Sequence, residues 1–441
     1  MEAILIKALQ FFASLSLLVL IHEFGHYITA RIFKIRVEQF FIFFNPWFSL
    51  YKKKIGETVY GIGWLPLGGY VSLAGMVDET VDGEKMEQLK QEPKPWEFRS
   101  KPAWQRLIVM LAGVTMNVLL AMAIYSGILY TWGDMYYHND DVTYGYAFND
   151  AGKNLGFEDG DRIVAIDGEK IEDITRISEM LILSDSDRNV EILRNNEPQT
   201  ITLPLDELIA MRESGGYTDL YKVISPYVIG TVEWDSAKEA GLEAGDQIIA
   251  INSIPTPRFM VNNPVITEAR GTMAELSVLR GADTLQLTAP ISEDGRLGIT
   301  VNLIQPRQKE YGFWESIPAG VKLTGERIAS YWEQLKLIVK PDTKMYKEVG
   351  GFIAIANIFP DKWNWLGFWN ITALLSIILA VMNILPIPAL DGGHALLTVW
   401  EMITRRKPSD KFMLVVQWIG IILLFSLLIY ANGSDIIRLF K

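Results

Sequence analysis

Four long apolar runs mark the chain, and a water-loving block separates the second from the third. The first covers residues 3–33: Ala8 to Ile21 carries no charge, and the apolar character resumes after His26 up to Phe33. The second is uncharged from Leu107 to Gly133 and carries Trp104 and Trp132 near its ends, where interfacial aromatics belong. The third lies between Lys362 and Asp391, and the fourth runs from Phe412 to Ser434. Each is long enough for a helix that crosses the roughly 30 Å hydrocarbon layer of a bilayer. A cleaved signal peptide competes for the first run, because Lys7 precedes a short apolar stretch. The polar His22, Glu23 and His26 directly after that stretch favour a retained helix with work to do. Arg31, Lys34, Arg36 and Lys52–Lys54 follow the first run, and Arg405, Arg406, Lys407 and Lys411 separate the last two. The positive-inside rule puts both loops in the cytoplasm, which leaves both termini and the polar block outside.

Between the spans the pattern changes period. Residues 56–76 alternate glycines with Val, Ile, Trp, Leu and Tyr, which predicts short strands such as a hairpin. So apolar a hairpin reads as a loop dipping into the membrane, where protein or trapped water satisfies its backbone and an exposed edge can accept a further strand. Residues 78–101 are charged and proline-spaced, as in a cytoplasmic surface segment. In the polar block, Gly156 to Asp167 (GFEDGDRIVAID) recurs as Gly241 to Asn252 (GLEAGDQIIAIN). A glycine turn entering an alternating strand, repeated one small domain apart, predicts a tandem pair. The pair resembles PDZ domains, which bind extended peptides or chain ends, and Tyr227–Gly230 is the candidate ligand loop of the second copy. Val321, Ile328, Tyr331, Leu335 and Ile338 then recur at near-helical spacing within 313–340. That stripe predicts an amphipathic helix, lying on the outer membrane surface or packed on the tandem domains.

Composition narrows the functions. Hydrophobic residues are 49% and charged residues 21% of the 441-residue chain, as expected of a protein partly in lipid. A net charge of −11 argues against a nucleic-acid partner, which needs a basic footprint. There is no cysteine, so disulfides and thiolate metal sites are excluded. Four histidines in all make a His-rich metal-handling loop untenable.

Two of those four, His22 and His26, lie one helical turn apart on one face and can grip a single zinc ion. Glu23, beside the first, can then take a proton from water whose pKa the zinc has lowered to roughly 7. A catalytic zinc needs a third protein ligand and one open position. Asp391 follows Pro386 and Pro388 at the cytoplasmic end of the third run, level with the histidines, and is the candidate; His394 is the rival. Asn117, deep in the second run, should pair with a neighbouring helix or line a polar cavity.

Together these features resemble the site-2 protease family of intramembrane zinc metalloproteases, in its bacterial sigma-E-regulating branch with tandem PDZ domains. The resemblance rests on HEFGH at 22–26, LGGYV at 67–71, KPAWQRLIVMLAGVTMN at 101–117, the repeat, and NILPIPALDGGH at 383–394. It implies His22, His26 and Asp391 as zinc ligands and Glu23 as acid/base. It implies that Asn383 and the hairpin around Gly68, Gly69 and Tyr70 hold substrate, and Asn117 is counted with them. The implied substrates are single-pass membrane proteins of the anti-sigma-factor or signal-peptide-remnant type, already trimmed by an upstream site-1-type protease. The implied place is the bacterial cytoplasmic (inner) membrane. Val114, Ser72 and Gly351–Phe352 depart from frequent family residues without touching a ligand. The expected fold is an α-helical membrane protein with four transmembrane helices, a membrane-dipping hairpin and two inserted PDZ-like α+β domains. Its expected parts are 1–133 with the hairpin at 56–76, the PDZ-like domains at 140–220 and 221–305, an amphipathic linker at 306–362, and 363–441. Two rivals are a metal transporter, which needs ligands spread through several spans, and an inactive scaffold presenting peptide-binding domains.

Overall fold

The computed structural model describes residues 2–66, 68–76, 92–259 and 264–440; Leu67 and most of the charged segment 78–101 lie outside them. The chain forms two units: residues 1–133, 310–339 and 345–441, and residues 134–309 with 340–344.

The first unit is built on helices that are inside out by the standards of a soluble protein. On α1 (Glu2–Ile32) the buried face mixes the polar Gln10, Ser14, His22 and His26 with Phe11, Leu18, Val19, Gly25 and Ala30. Ile4, Leu5, Leu9, Phe12, Phe24 and Ile28 are exposed on the same helix. A polar face turned inward and an apolar face outward is the arrangement a bilayer requires. After α1 the chain forms strands β1 (Val37–Phe41), β2 (Phe44–Ile55), β3 (Thr58–Leu65) and β4 (Tyr70–Leu73). Their order in the sheet is β2-β3-β1-β4. The hairpin expected within 56–76 is therefore not one: β3 and β4 do not pair but flank β1, the first parallel to it and the second antiparallel. The true hairpin joins β2 to β3, and Lys52–Lys54, expected in a loop, are exposed on β2. As a result β4 is the edge strand among the described residues.

Helix α2 (Ala103–Trp132) packs against α1 along small residues. A Cβ on Gly25 would lie 2.6 Å from the Ala112 carbonyl oxygen, so glycine sets how closely the two helices approach. Helix α3 (Phe313–Val339) carries the predicted stripe. Its Leu323, Ile328, Tyr331 and Leu335 pack on Ala121, Tyr125 and Ile128 of α2 and on Ala373 and Ile377. Ile328, Tyr331 and Leu335 of the stripe thus cover membrane-type helices while Val321 is exposed, and the expected linker holds a packed helix at Phe313–Val339.

Helix α4 (Trp365–Ile384) ends where Pro386 and Pro388 forbid its continuation. After a turn through Ala389 at φ +74°, helix α5 (Asp391–Thr404) begins, so Asp391 opens a helix absent from the sequence reading. Arg106 of α2 holds Glu401 of α5 at 2.6 Å. Helix α6 (Asp410–Leu439) follows. α1, α2, α4 and the α6 segment Phe412–Arg438 are long and apolar enough to cross a membrane. Only 11% of the most apolar α6 window is buried, against 28–39% for the others, so α6 is the outlying helix.

The second unit contains the repeat as two four-stranded sheets of the same plan. In each, the aspartate of the Gly-Asp turn is the hub. Asp161 accepts from the Glu158 amide and from Arg194, which also donates to the Gly156 carbonyl. Asp246, Glu243, Arg280 and Gly241 repeat the set. Strand Tyr221–Val223, assigned to the second domain from sequence, pairs with Tyr146–Phe148 of the first. Tyr227–Gly230 is not an open loop: Tyr227 is buried, and Ile229 pairs with Val301.

Candidate metal centre

Three helix segments deliver the site. His22 and His26 stand one turn apart on α1, and the turn after α4 brings in Asp391. Two glycines following Asp391 let that turn close tightly. A Cβ on Gly392 would sit 2.3 Å from the Ile384 and Leu385 oxygens, and one on Gly393 2.5 Å from that of Ile387. Room for the imidazoles comes from Gly113 on α2, where a Cβ would lie 2.4 Å from His26 Nε2 and 2.6 Å from His22 Cε1.

The three potential ligand atoms form a near-equilateral triangle. His22 Nε2 lies 3.3 Å from His26 Nε2, and Asp391 Oδ2 lies 3.2 and 3.3 Å from the two nitrogens. Two donors each 2.0–2.1 Å from one tetrahedral ion lie about 3.3 Å apart. The other ring nitrogens fix the tautomers. His26 Nδ1 donates to the Val109 carbonyl at 2.8 Å, which leaves Nε2 a lone pair. The Asn117 amide lies 3.1 Å from His22 Nδ1. With its oxygen turned to that nitrogen it accepts Nδ1–H, and the buried Oδ1, otherwise partnerless, gains its hydrogen bond. Three electron-rich atoms then crowd one another, and Asp391 Oδ2 is buried without a donor. Only a cation among them relieves that repulsion, so the residues fit zinc. Among the described residues this is the one cluster of three or more such side chains with metal-ligand spacing.

The triangle opens on a cavity of about 290 Å³, lined by Glu23, His394, Asn383, Gln417 and by Gly68–Val71, which lead into β4, among others. Glu23 and Val71 of β4 line this same cavity beside the triangle. Asn383 Nδ2 is 3.4 Å from His22 Nε2. Gly68, Gly69, Tyr70 and Asn383 line the cavity, and His394 lines it without joining the triangle. Asn117 corrects the expectation: fully buried against His22, it is placed to orient a ligand, not to touch substrate. Sequence reasoning missed Gly113 and Gln417. Gly113 had a faint signal, standing one turn before Asn117; Gln417 had another, an amide in an uncharged run.

A family model described as peptidase family M50 matches residues 10–427. The chain is 30% identical to a protein of Xylella fastidiosa (strain 9a5c) named putative zinc metalloprotease, over 96% of this chain and 97% of that one. It is 28% identical to the regulator of sigma E protease of Haemophilus influenzae, over 98% of each. Identity is also 28% to a protein of Vibrio cholerae serotype O1 named putative zinc metalloprotease, over the whole of both.

Proposed function

The chain belongs to peptidase family M50, with zinc as its cofactor, and from that premise we propose that it is an intramembrane endopeptidase that hydrolyses peptide bonds within the transmembrane segments of other proteins. The observation that carries this reading is the meeting, in one cavity among apolar helices, of a zinc-sized triangle, a carboxylate and the start of a strand that is outermost in its sheet among the described residues. His22, His26 and Asp391 would hold the metal. When bound, zinc supplies Lewis acidity, polarising a carbonyl and bringing the pKa of water to about 7.

The chain's own residues do the rest. A helical substrate must unwind before attack, because its backbone groups are bonded to one another. Edge strand β4 offers them replacement partners by strand addition, with Gly68–Tyr70 along the added strand and Asn383 beside it. Glu23 takes the proton of the attacking water and returns it to the leaving amine. Asn117 keeps Nδ1 of His22 protonated and its ring aligned.

In this reading the protein sits in the bacterial inner membrane with both termini and the second unit outside. The repeats of that unit are PDZ-like. Its substrates are single-pass proteins of the anti-sigma-factor or signal-peptide-remnant type that an upstream protease has shortened. The test compares membrane-protein fragments in cells carrying the parent protein or Glu23→Gln, with zinc content measured on both purified proteins. The variant should retain zinc and lose cleavage by at least 10²- to 10⁴-fold, the usual worth of a general acid–base group. Near-parental cleavage by Glu23→Gln would sink the mechanism. Equal cutting of a substrate before and after trimming of its outer part would refute the requirement for prior shortening.

A further inference from the structure

Gln417 has no part in the scheme above, yet it is placed as deliberately as the residues that do. It lies on α6 with only 7% of its surface exposed, and it lines the same cavity as His22, Glu23, Tyr70, Asn383 and Asp391. Among the described residues its carboxamide has no hydrogen-bond partner. An amide that makes no bond to the protein and opens only on a cavity among apolar helices is placed to bond what occupies that cavity.

Its position is held by contacts further along the helix. Gly420, three residues on and so on the same face, presses on the turn that presents Asp391: a Cβ there would lie 1.8 Å from the Pro388 oxygen. Near the far end of α6, Asn432 accepts from the Phe352 amide at 3.2 Å and Asp435 from the Ala354 amide at 2.9 Å. These contacts fix the rotation of a helix that is otherwise little buried, and the rotation they fix turns Gln417 into the cavity.

We propose that Gln417 is a substrate-binding residue whose side-chain amide pairs with the backbone of the unwound substrate. The proposal rests on the proteolytic reading and deepens it. An extended segment added to β4 satisfies its backbone groups on one edge only. Its other edge, in an apolar setting, needs donors and acceptors that the sheet does not supply. A carboxamide carries one carbonyl acceptor and an NH2 donor, the two halves of a peptide group, so it can answer that edge as a neighbouring strand would. It does so without sequence preference, as suits an enzyme that recognises an unwound helix.

The test uses the full chain in detergent micelles and a synthetic fluorescent signal-peptide remnant as probe. Binding is read by anisotropy in the Glu23→Gln background, where no turnover occurs, and cleavage in the parent background. Gln417→Leu should raise the Kd of the probe about tenfold and lower kcat/KM by a similar factor, the scale of one buried hydrogen bond. Zinc content should not change. The unfolding temperature should hold, because the substitution breaks no hydrogen bond within the protein. Gln417→Asn, which keeps the amide, should recover part of the affinity. Unchanged Kd in Gln417→Leu, or a loss of stability that accounts for the loss of binding, would overturn the proposal. A parent protein that binds the probe but cleaves neither it nor any membrane helix would refute the proteolytic reading while leaving the binding result to stand or fall by itself.

Discussion

Gly113 offers the sharpest test of how the centre is built. Gly113→Ala adds one methyl group, which ordinarily stabilises a helix interior by up to about 1 kcal/mol. Here the methyl would lie 2.4 Å from His26 Nε2, 2.6 Å from His22 Cε1 and 2.8 Å from His22 Nε2. Ordinary contact needs roughly 3.5 Å, so the rings must retreat by about 0.7–1 Å. Ligand distances tolerate only about ±0.2 Å, and the retreat opens a triangle whose edges are 3.2–3.3 Å. Zinc affinity should therefore fall by on the order of 10²-fold or more, the upper end of what altered support around a metal costs. Gly127 lies on the same helix with nothing within 4 Å of its Cβ position, so Gly127→Ala is the matched control. Zinc affinity is measured by competition with a chromophoric chelator, and thermal unfolding is followed after zinc removal. Gly113→Ala should lose zinc without losing apo-protein stability, and Gly127→Ala should keep both. Parental zinc affinity in Gly113→Ala would show that the imidazoles do not bind metal where the triangle puts them.

Three further outcomes follow from the geometry. Asp391→Ala should empty the site as His22→Ala does while His394→Ala retains zinc, and metal analysis showing loss only in His394→Ala would identify the wrong third ligand. Asn117→Leu should weaken zinc binding by about 10- to 100-fold with Glu23 untouched; unchanged affinity would mean that His22 needs no orienting partner. In the second repeat, burial pushes the Asp246 carboxyl up, but hydrogen bonds from Arg280 and the Glu243 amide outweigh it and hold the group below its ordinary value. A depressed carboxyl stabilises the fold above its unfolded pKa, near 4, and that contribution is lost as pH falls through the lower folded value. Arg280→Leu should destabilise the repeat, because it leaves the buried Asp246 carboxylate without its cation. It should also move acid opening of residues 225–301 to higher pH, as read by hydrogen exchange; an unmoved midpoint would dismiss Asp246 as the group responsible.

The chemistry was legible in the sequence where side-chain spacing alone carries it. His22 and His26 need only the helical period, and Asp391 was betrayed by two prolines that had to end the apolar run beside it. The sheet was not legible to the same degree. Strands β1 and β2 lie in a stretch where aromatic residues sit on both faces and three lysines follow, so neither a period of two nor an apolar run stands out. Their partner choice is set by a parallel β1–β3 pairing, and local sequence does not specify pairing across a crossover. Helix α5 was hidden because Asp391-Gly392-Gly393 reads as a turn. Only contact with Ile384–Ile387 shows that the glycines are there for closeness.

The same distinction explains why Asn117 was misassigned. A polar residue in an apolar run announces that it has a partner, but the sequence does not say whether that partner is substrate or protein. On α1 the answer is written in the stripe: Gln10, Ser14, His22 and His26 share one buried face, so the helix is committed to a polar interior along its length. Asn117 is fully buried and finds its partner in that stripe, at His22. Gln417 is nearly as buried, on the helix with least protein around it, and finds none. An amide that the fold could readily have turned outward to be replaced by leucine, but which is instead held into the cavity by Gly420 against Pro388, has its partner in what enters.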